Sequence, residues 1–68
     1  MPDGIPEDYL IEFVRIGASV KVSAIDPVTG TEASIIGPAN MSEAQLSKNA
    51  ISKLRYVLAR KNKEPSKG

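Results

Sequence analysis

Two periodicities divide this chain. Between residues 9 and 36 strand-forming residues gather in three runs, with the two-residue repeat clearest in Val20–Ile25, and beyond residue 42 the apolar side chains follow the three-to-four-residue repeat of a helix. Tyr9-Leu-Ile-Glu-Phe-Val-Arg-Ile16 is rich in β-branched and aromatic residues and predicts a first strand. Gly17-Ala18 follows, with glycine at the first central position of a two-residue type II′ hairpin turn. Val20-Lys-Val-Ser-Ala-Ile25 alternates and predicts a second strand. In Asp26-Pro-Val-Thr-Gly-Thr31 the aspartate initiates a turn, Pro27 presets φ, and Gly30 supplies the left-handed position that closes a four-residue loop. Thr31–Ile36 is the third expected strand, and Gly37-Pro38 is expected to stop it.

Ser42-Glu-Ala-Gln45 has the spacing of a capping box, in which Ser42 accepts from the backbone and Gln45 reaches back. Glu43 in the first turn and Arg60-Lys61 in the last are the charges a helix dipole favours at those ends. Leu46, Ala50, Ile51, Leu54, Val57 and Leu58 form one apolar stripe, and the helix should end near Lys61–Lys63. The expected fold is α+β: a three-stranded antiparallel meander (β-β-β-α) with one C-terminal helix packed on one face. Residues 9–62 make a single domain between a disordered N-terminal tail over residues 1–8, broken by Pro2, Gly4 and Pro6, and a disordered C-terminal tail over residues 63–68.

The two turns test each other. The first pairs Arg15 with Val20, Phe13 with Val22 and Ile11 with Ala24; the second pairs Asp26 with Thr31, hence Ala24 with Ala33 and Val22 with Ile35. Both put Tyr9, Ile11, Phe13, Val20, Val22, Ala24, Ala33 and Ile35 on one face, where the small Ala24 and Ala33 leave room for the helix. The other face carries Leu10, Glu12, Val14, Ile16, Lys21, Ser23, Ile25, Glu32, Ser34 and Ile36, and it is more apolar than a solvated sheet face should be. With one helix available, Val14, Ile25 and Ile36 stay wet unless something docks. The edge of Thr31–Ile36, without an internal proline, is a second docking route.

A chain of 68 residues buries only about 60% of its unfolded surface, which allows one thin core. With no cysteine and no histidine there is no disulfide, no thiolate metal site and no usual general base. Glu12 and Glu32 share the open face, but on the two outer strands and without a pocket, so they are expected to be solvated rather than catalytic. Gly17, Gly30 and Gly37 lack any phosphate-cradling spacing. Enzyme activity, a metal and a cofactor are therefore not expected. No apolar run is long enough for a membrane span, and Met1–Asp8 is acidic where a signal peptide is basic. A cytoplasmic protein without membrane contact is expected, and Asn40-Met41-Ser42 is read as a chance match to a glycosylation pattern.

Charge is distributed unevenly behind a net value of +1. Asp3, Glu7, Asp8, Glu12, Asp26 and Glu32 face only Arg15 and Lys21 in the first 32 residues, whereas basic residues dominate from Lys48 onward. Lys48 and Arg55 flank one edge of the apolar stripe, Lys53 and Arg60 lie toward the other, and Tyr56 falls on the polar side. An exposed aromatic beside arginine and lysine is able to stack on a base, although a phenol lying along an Arg or Lys stem is the commoner arrangement. The acidic first half and a pI near 8.0 also argue against a dedicated nucleic-acid binder.

The β-β-β-α order, with Ser47-Lys-Asn-Ala-Ile-Ser-Lys-Leu54 in the helix, resembles the later part of a double-stranded RNA-binding domain over residues 20–58. That family implies a preceding helix, here replaced by residues 1–8, and a lysine cluster at the start of its last helix, where this chain has Met41-Ser-Glu-Ala44. Ile11-Glu-Phe13, Val20–Asp26, Thr29–Glu32, Ile36–Ala39 and Lys53–Leu58 resemble a small uncharacterised alphaproteobacterial family of unknown function, over residues 9–60. This resemblance implies no activity, ligand or site. The leading expectation is a non-enzymatic module that docks a protein, its own second copy included, around Val14, Lys21, Ile25 and Ile36. The alternative is a nucleic-acid-associated protein using Lys48, Lys53, Arg55, Tyr56 and Arg60.

Overall fold

The computed structural model describes residues 9–63, with the backbone alone at residues 62 and 63. Strands β1 (Leu10–Ile16), β2 (Ser19–Ile25) and β3 (Glu32–Pro38) form an antiparallel sheet in the order β1-β2-β3, and helix α1 (Glu43–Lys63) follows. The expected tail over residues 1–8 lies outside the described residues. So does most of the expected C-terminal tail; its first residue, Lys63, is the last of the helix.

The turns set the register as their chemistry requires. Gly17 takes φ 62° in the two-residue loop that places Ile16 opposite Ser19. In the second loop the Asp26 carboxylate accepts from Val28 N at 3.0 Å and from Thr29 Oγ1 at 3.2 Å. Gly30, at φ 78°, donates its N–H to Asp26 O at 2.7 Å, and Asp26 N donates to Thr31 O at 2.8 Å. Both registers match expectation: Phe13 pairs with Val22 and Val22 with Ile35, while Ile11 pairs with Ala24 and Ala24 with Ala33.

One expectation is corrected at the end of β3. Gly37-Pro38 does not stop the strand, because Val20 pairs with Gly37 and Ser19 with Pro38. Proline is tolerated there because it is the last residue of an edge strand, where no ladder bond needs its missing N–H. Ala39 N then donates to Ala18 O and Met41 N to Pro38 O, turning the chain back toward the sheet. Ser42 caps the helix by accepting from Gln45 N at 3.1 Å, but only half of the capping box forms: Gln45 Nε2 donates forward to Asn49 Oδ1 at 3.1 Å instead of reaching back.

The core consists of Val22, Ala24, Ala33, Leu46, Ala50, Ile51 and Leu54. Alanine at 24, 33 and 50 brings the helix backbone close to the sheet, and the helix lies over β2 and β3 rather than over all three strands. Tyr9, Ile11 and Phe13 of the β1 side consequently pack only against the margin of the core and remain half-buried. Ser47 is also fully buried, and its hydroxyl finds no hydrogen-bond partner among the described residues.

Gly37 sets how closely the start of the helix approaches, since a methyl group there would meet Leu46 Cδ2 at 2.5 Å. Leu46 is 2% exposed and has little room to give. Gly37→Ala is expected to destabilise the fold by about 1–3 kcal/mol through overpacking. Combined with Leu46→Ala, it should cost clearly less than the sum of the two single changes, as read by denaturant unfolding. Additive costs would show that this contact does not limit the packing.

Candidate functional site

The sheet face turned away from the helix is a grid of four cross-strand rows. Leu10, Ile25 and Glu32 make the first; Glu12, Ser23 and Ser34 the second; Val14, Lys21 and Ile36 the third; Ile16, Ser19 and Pro38 the fourth. The helix covers none of them. Leu10, Val14, Ile16 and Ile36 are 55%, 45%, 53% and 63% exposed, so the apolar character read from the sequence is solvent-accessible surface. At the centre Ser23 is buried by its neighbours and hydrogen-bonds Ser34 between their hydroxyl oxygens at 3.0 Å. The face therefore has a small polar middle between apolar rows.

The four interface candidates are not equally placed. Val14, Lys21 and Ile36 stand side by side in one row, with the exposed lysine between two apolar neighbours. Ile25 lies in another row and is half-buried rather than wet, because it sits on the central strand between Leu10 and Glu32. Leu10 and Ile16, at either end of β1, are more exposed than Val14 and belong with the candidates. The same alternation that located Val14 also marks them.

The two free edges of the sheet differ. At β3, Lys53 Nζ reaches from the helix to donate to Ser34 O at 2.8 Å, and Lys61 Nζ donates to Thr31 Oγ1 at 3.4 Å. This edge, expected to offer a docking route, is thus partly capped by Lys53, while Lys61 holds the side chain of Thr31 just before the strand. No helix side chain bonds to the β1 edge among the described residues; Arg15 Nε there donates to Gly17 O in its own hairpin.

The alternative nucleic-acid set does not converge on one surface. Lys48 and Arg55 lie on one flank of the helix and are exposed, while Lys53 on the other flank is committed to the β3 edge. Tyr56 is 61% exposed, but the Arg60 guanidinium carbon sits 5.7 Å from its ring centroid and Arg60 Nη1 donates to its hydroxyl at 3.3 Å. The phenol thus pairs with an arginine of its own helix. Glu12 lies opposite Ser23 and Glu32 opposite Ile25, so the two carboxylates belong to different rows. Among the described residues no three acidic side chains gather as a metal site would need, and no helix is long and apolar enough to cross a membrane.

Comparison with known proteins places the chain in a family: residues 6–61 match the domain of unknown function DUF6898, and the chain belongs to that family. No curated protein and no solved structure matches it.

The serine pair gives a direct check of how the open face is built. Ser34→Ala leaves the buried Ser23 hydroxyl without its partner and should cost about 1 kcal/mol in unfolding experiments. Replacing both serines by alanine should cost less than the two single changes together. Additivity would mean that the two hydroxyls contribute independently.

Proposed function

We propose that this member of the family is a non-enzymatic, cytoplasmic protein-interaction module that binds through the open face of its sheet and the adjoining free strand, first of all to a second copy of itself. The observation that carries this reading is the group of exposed apolar side chains, Leu10, Val14, Ile16 and Ile36, on a face that the single helix does not reach. Exposed apolar side chains grouped on one face of a small domain favour a binding surface. Glu12, Lys21 and Glu32 within the same face supply charges that orient a partner, while the apolar rows supply the burial. Chains below about 70–80 residues also gain from burial between subunits what a single thin core does not supply. No cofactor, metal or membrane enters this reading.

The second reading, a nucleic-acid-associated protein, draws on the basic helix and on the β-β-β-α order shared with the later part of a double-stranded RNA-binding domain. It is the weaker one because Lys53 and Arg60 are engaged within the chain and the first turn of the helix carries Glu43 in place of a lysine cluster.

Light scattering at low and high protein concentration, each at low and high salt, separates the readings. The mass should rise with concentration and survive high salt, because apolar burial is not screened as charge pairs are. Leu10→Lys combined with Ile16→Lys should hold the mass at that of one chain, with an unchanged circular-dichroism spectrum. A single-chain mass under every condition contradicts the reading. Salt-sensitive retention on nucleic acid that Arg60→Glu abolishes favours the alternative.

A further inference from the structure

We propose that two copies of the chain pair antiparallel along β1, about a two-fold axis through Phe13, and so join two three-stranded sheets into one of six strands. The inference deepens the interaction reading above and rests on it; it names the strand, the register and the occupant. Its starting point is that β1 is an edge strand built like an interior one. Leu10, Val14 and Ile16 are exposed on the open face, while Ile11 and Phe13 on the other face are only half-buried because the helix lies over β2 and β3. Strands apolar on both faces belong inside a sheet. Edge strands of soluble proteins are instead blunted by proline, bulges, charge or a covering element. β1 has no proline and an unbroken register against β2, and only Glu12 and Arg15 carry charge. The β3 edge, by contrast, carries Lys53 on Ser34 O and ends in Pro38.

The backbone of β1 complements itself. A two-residue hairpin makes Ile16 and Ser19 a hydrogen-bonded pair, and alternation then directs the N–H and C=O groups of Val14, Glu12 and Leu10 toward β2. The groups of Ile11, Phe13 and Arg15 point outward. Phe13 is the middle residue of β1 (Leu10–Ile16), so a two-fold through it sets Phe13 against the partner's Phe13 and Ile11 against the partner's Arg15. The outward groups thereby satisfy one another in about six new backbone hydrogen bonds. A shift of one residue would set the open face of one copy against the helix side of the other. A shift of two residues in one direction would set Glu12 directly opposite the partner's Glu12, and in the other it would leave Leu10 outside the ladder.

Side chains agree with this register. Phe13 meets the partner's Phe13 beside the margin of the core, where both are half-buried in the single chain. On the open face Leu10 meets the partner's Ile16 at both ends of the seam. Charges are complementary as well. Lys21, Val14 and the partner's Glu12 fall in one row, and the lysine and carboxylate backbones are about two strand spacings, or ~10 Å, apart. A lysine stem laid over Val14 spans that interval toward the carboxylate. A seam of seven residues per chain is at the small end of specific interfaces, below about 1,200 Å² in total, so reversible association in the micromolar range is expected.

Sedimentation or light scattering from low micromolar to near-millimolar concentration should show the mass doubling. Arg15→Pro removes one outward N–H and, among the described residues, only the exposed side-chain bond to Gly17 O. It should stay a single chain with an unchanged circular-dichroism spectrum, whereas Arg15→Ala and Ile36→Lys should still double. Doubling by Arg15→Pro together with dispersal by Ile36→Lys overturns the seam and leaves the open face as the interface. A single-chain wild type at every concentration overturns both. Should Arg15→Pro unfold, disulfide trapping decides, since the chain has no cysteine of its own. Mixed Glu12→Cys and Val14→Cys chains should yield the heterodimer above its statistical share, because non-hydrogen-bonded partners bring Cα atoms within disulfide reach. A purely statistical mixture of products contradicts the register.

Discussion

One amphipathic helix has to cover a sheet wider than itself, and where it comes to rest determines everything else about this molecule. The small residues decide the position. Ala24 and Ala33 on the sheet and Ala50 on the helix let the two backbones approach, and Gly37 lets Leu46 settle at the end of β3. Leu54 and Ile51 complete a core centred on β2 and β3. Burial of each such aliphatic side chain is worth about 1.5–3 kcal/mol, so moving the helix toward β1 would forfeit its densest contacts. The cost of this position falls on β1, which keeps apolar side chains on both faces and a free edge.

The same asymmetry explains why the basic residues of the helix do not act as one patch. Sitting over β2 and β3 brings Lys53 within reach of Ser34 O and Lys61 within reach of Thr31 Oγ1. Of these, Lys53 caps the β3 edge, and Arg60 folds back onto Tyr56. The β1 edge, farthest from the helix, receives no such cover among the described residues. The uncovered face and the uncovered edge thus meet along one strand, which carries apolar side chains on both of its faces.

Much of this was legible in the chain. Gly17 and the Asp26-Pro27-to-Gly30 loop each specify a turn whose geometry sets a register, and the two registers agree on which side chains face the helix. The helical stripe was equally clear, from Leu46 to Leu58. Strand alternation, however, identifies only the face a helix covers and says nothing about its lateral position. The capping of β3 by Lys53 and the half-burial of Phe13 follow from that position, and so escaped the sequence reading; Ile25 is half-buried by its neighbours on the central strand. Gly37-Pro38 looked like a terminator because both residues break strands in isolation; at the end of an edge strand the breaker is harmless, and the glycine serves the contact with Leu46. Ser47 lies within the helical stripe as a polar residue, which hid its complete burial.

The central claim is that the helix completes β2 and β3 and leaves β1 to be completed by a second copy. Amide hydrogen exchange resolved by residue, followed as protein concentration rises, tests it most directly. The account predicts that Ile11, Phe13 and Arg15 exchange rapidly in dilute solution and become protected together as concentration increases. Glu12 and Val14, already bonded to β2, should be protected from the start. If Ile11, Phe13 and Arg15 exchange at rates that do not depend on concentration, β1 is not the strand through which this protein associates.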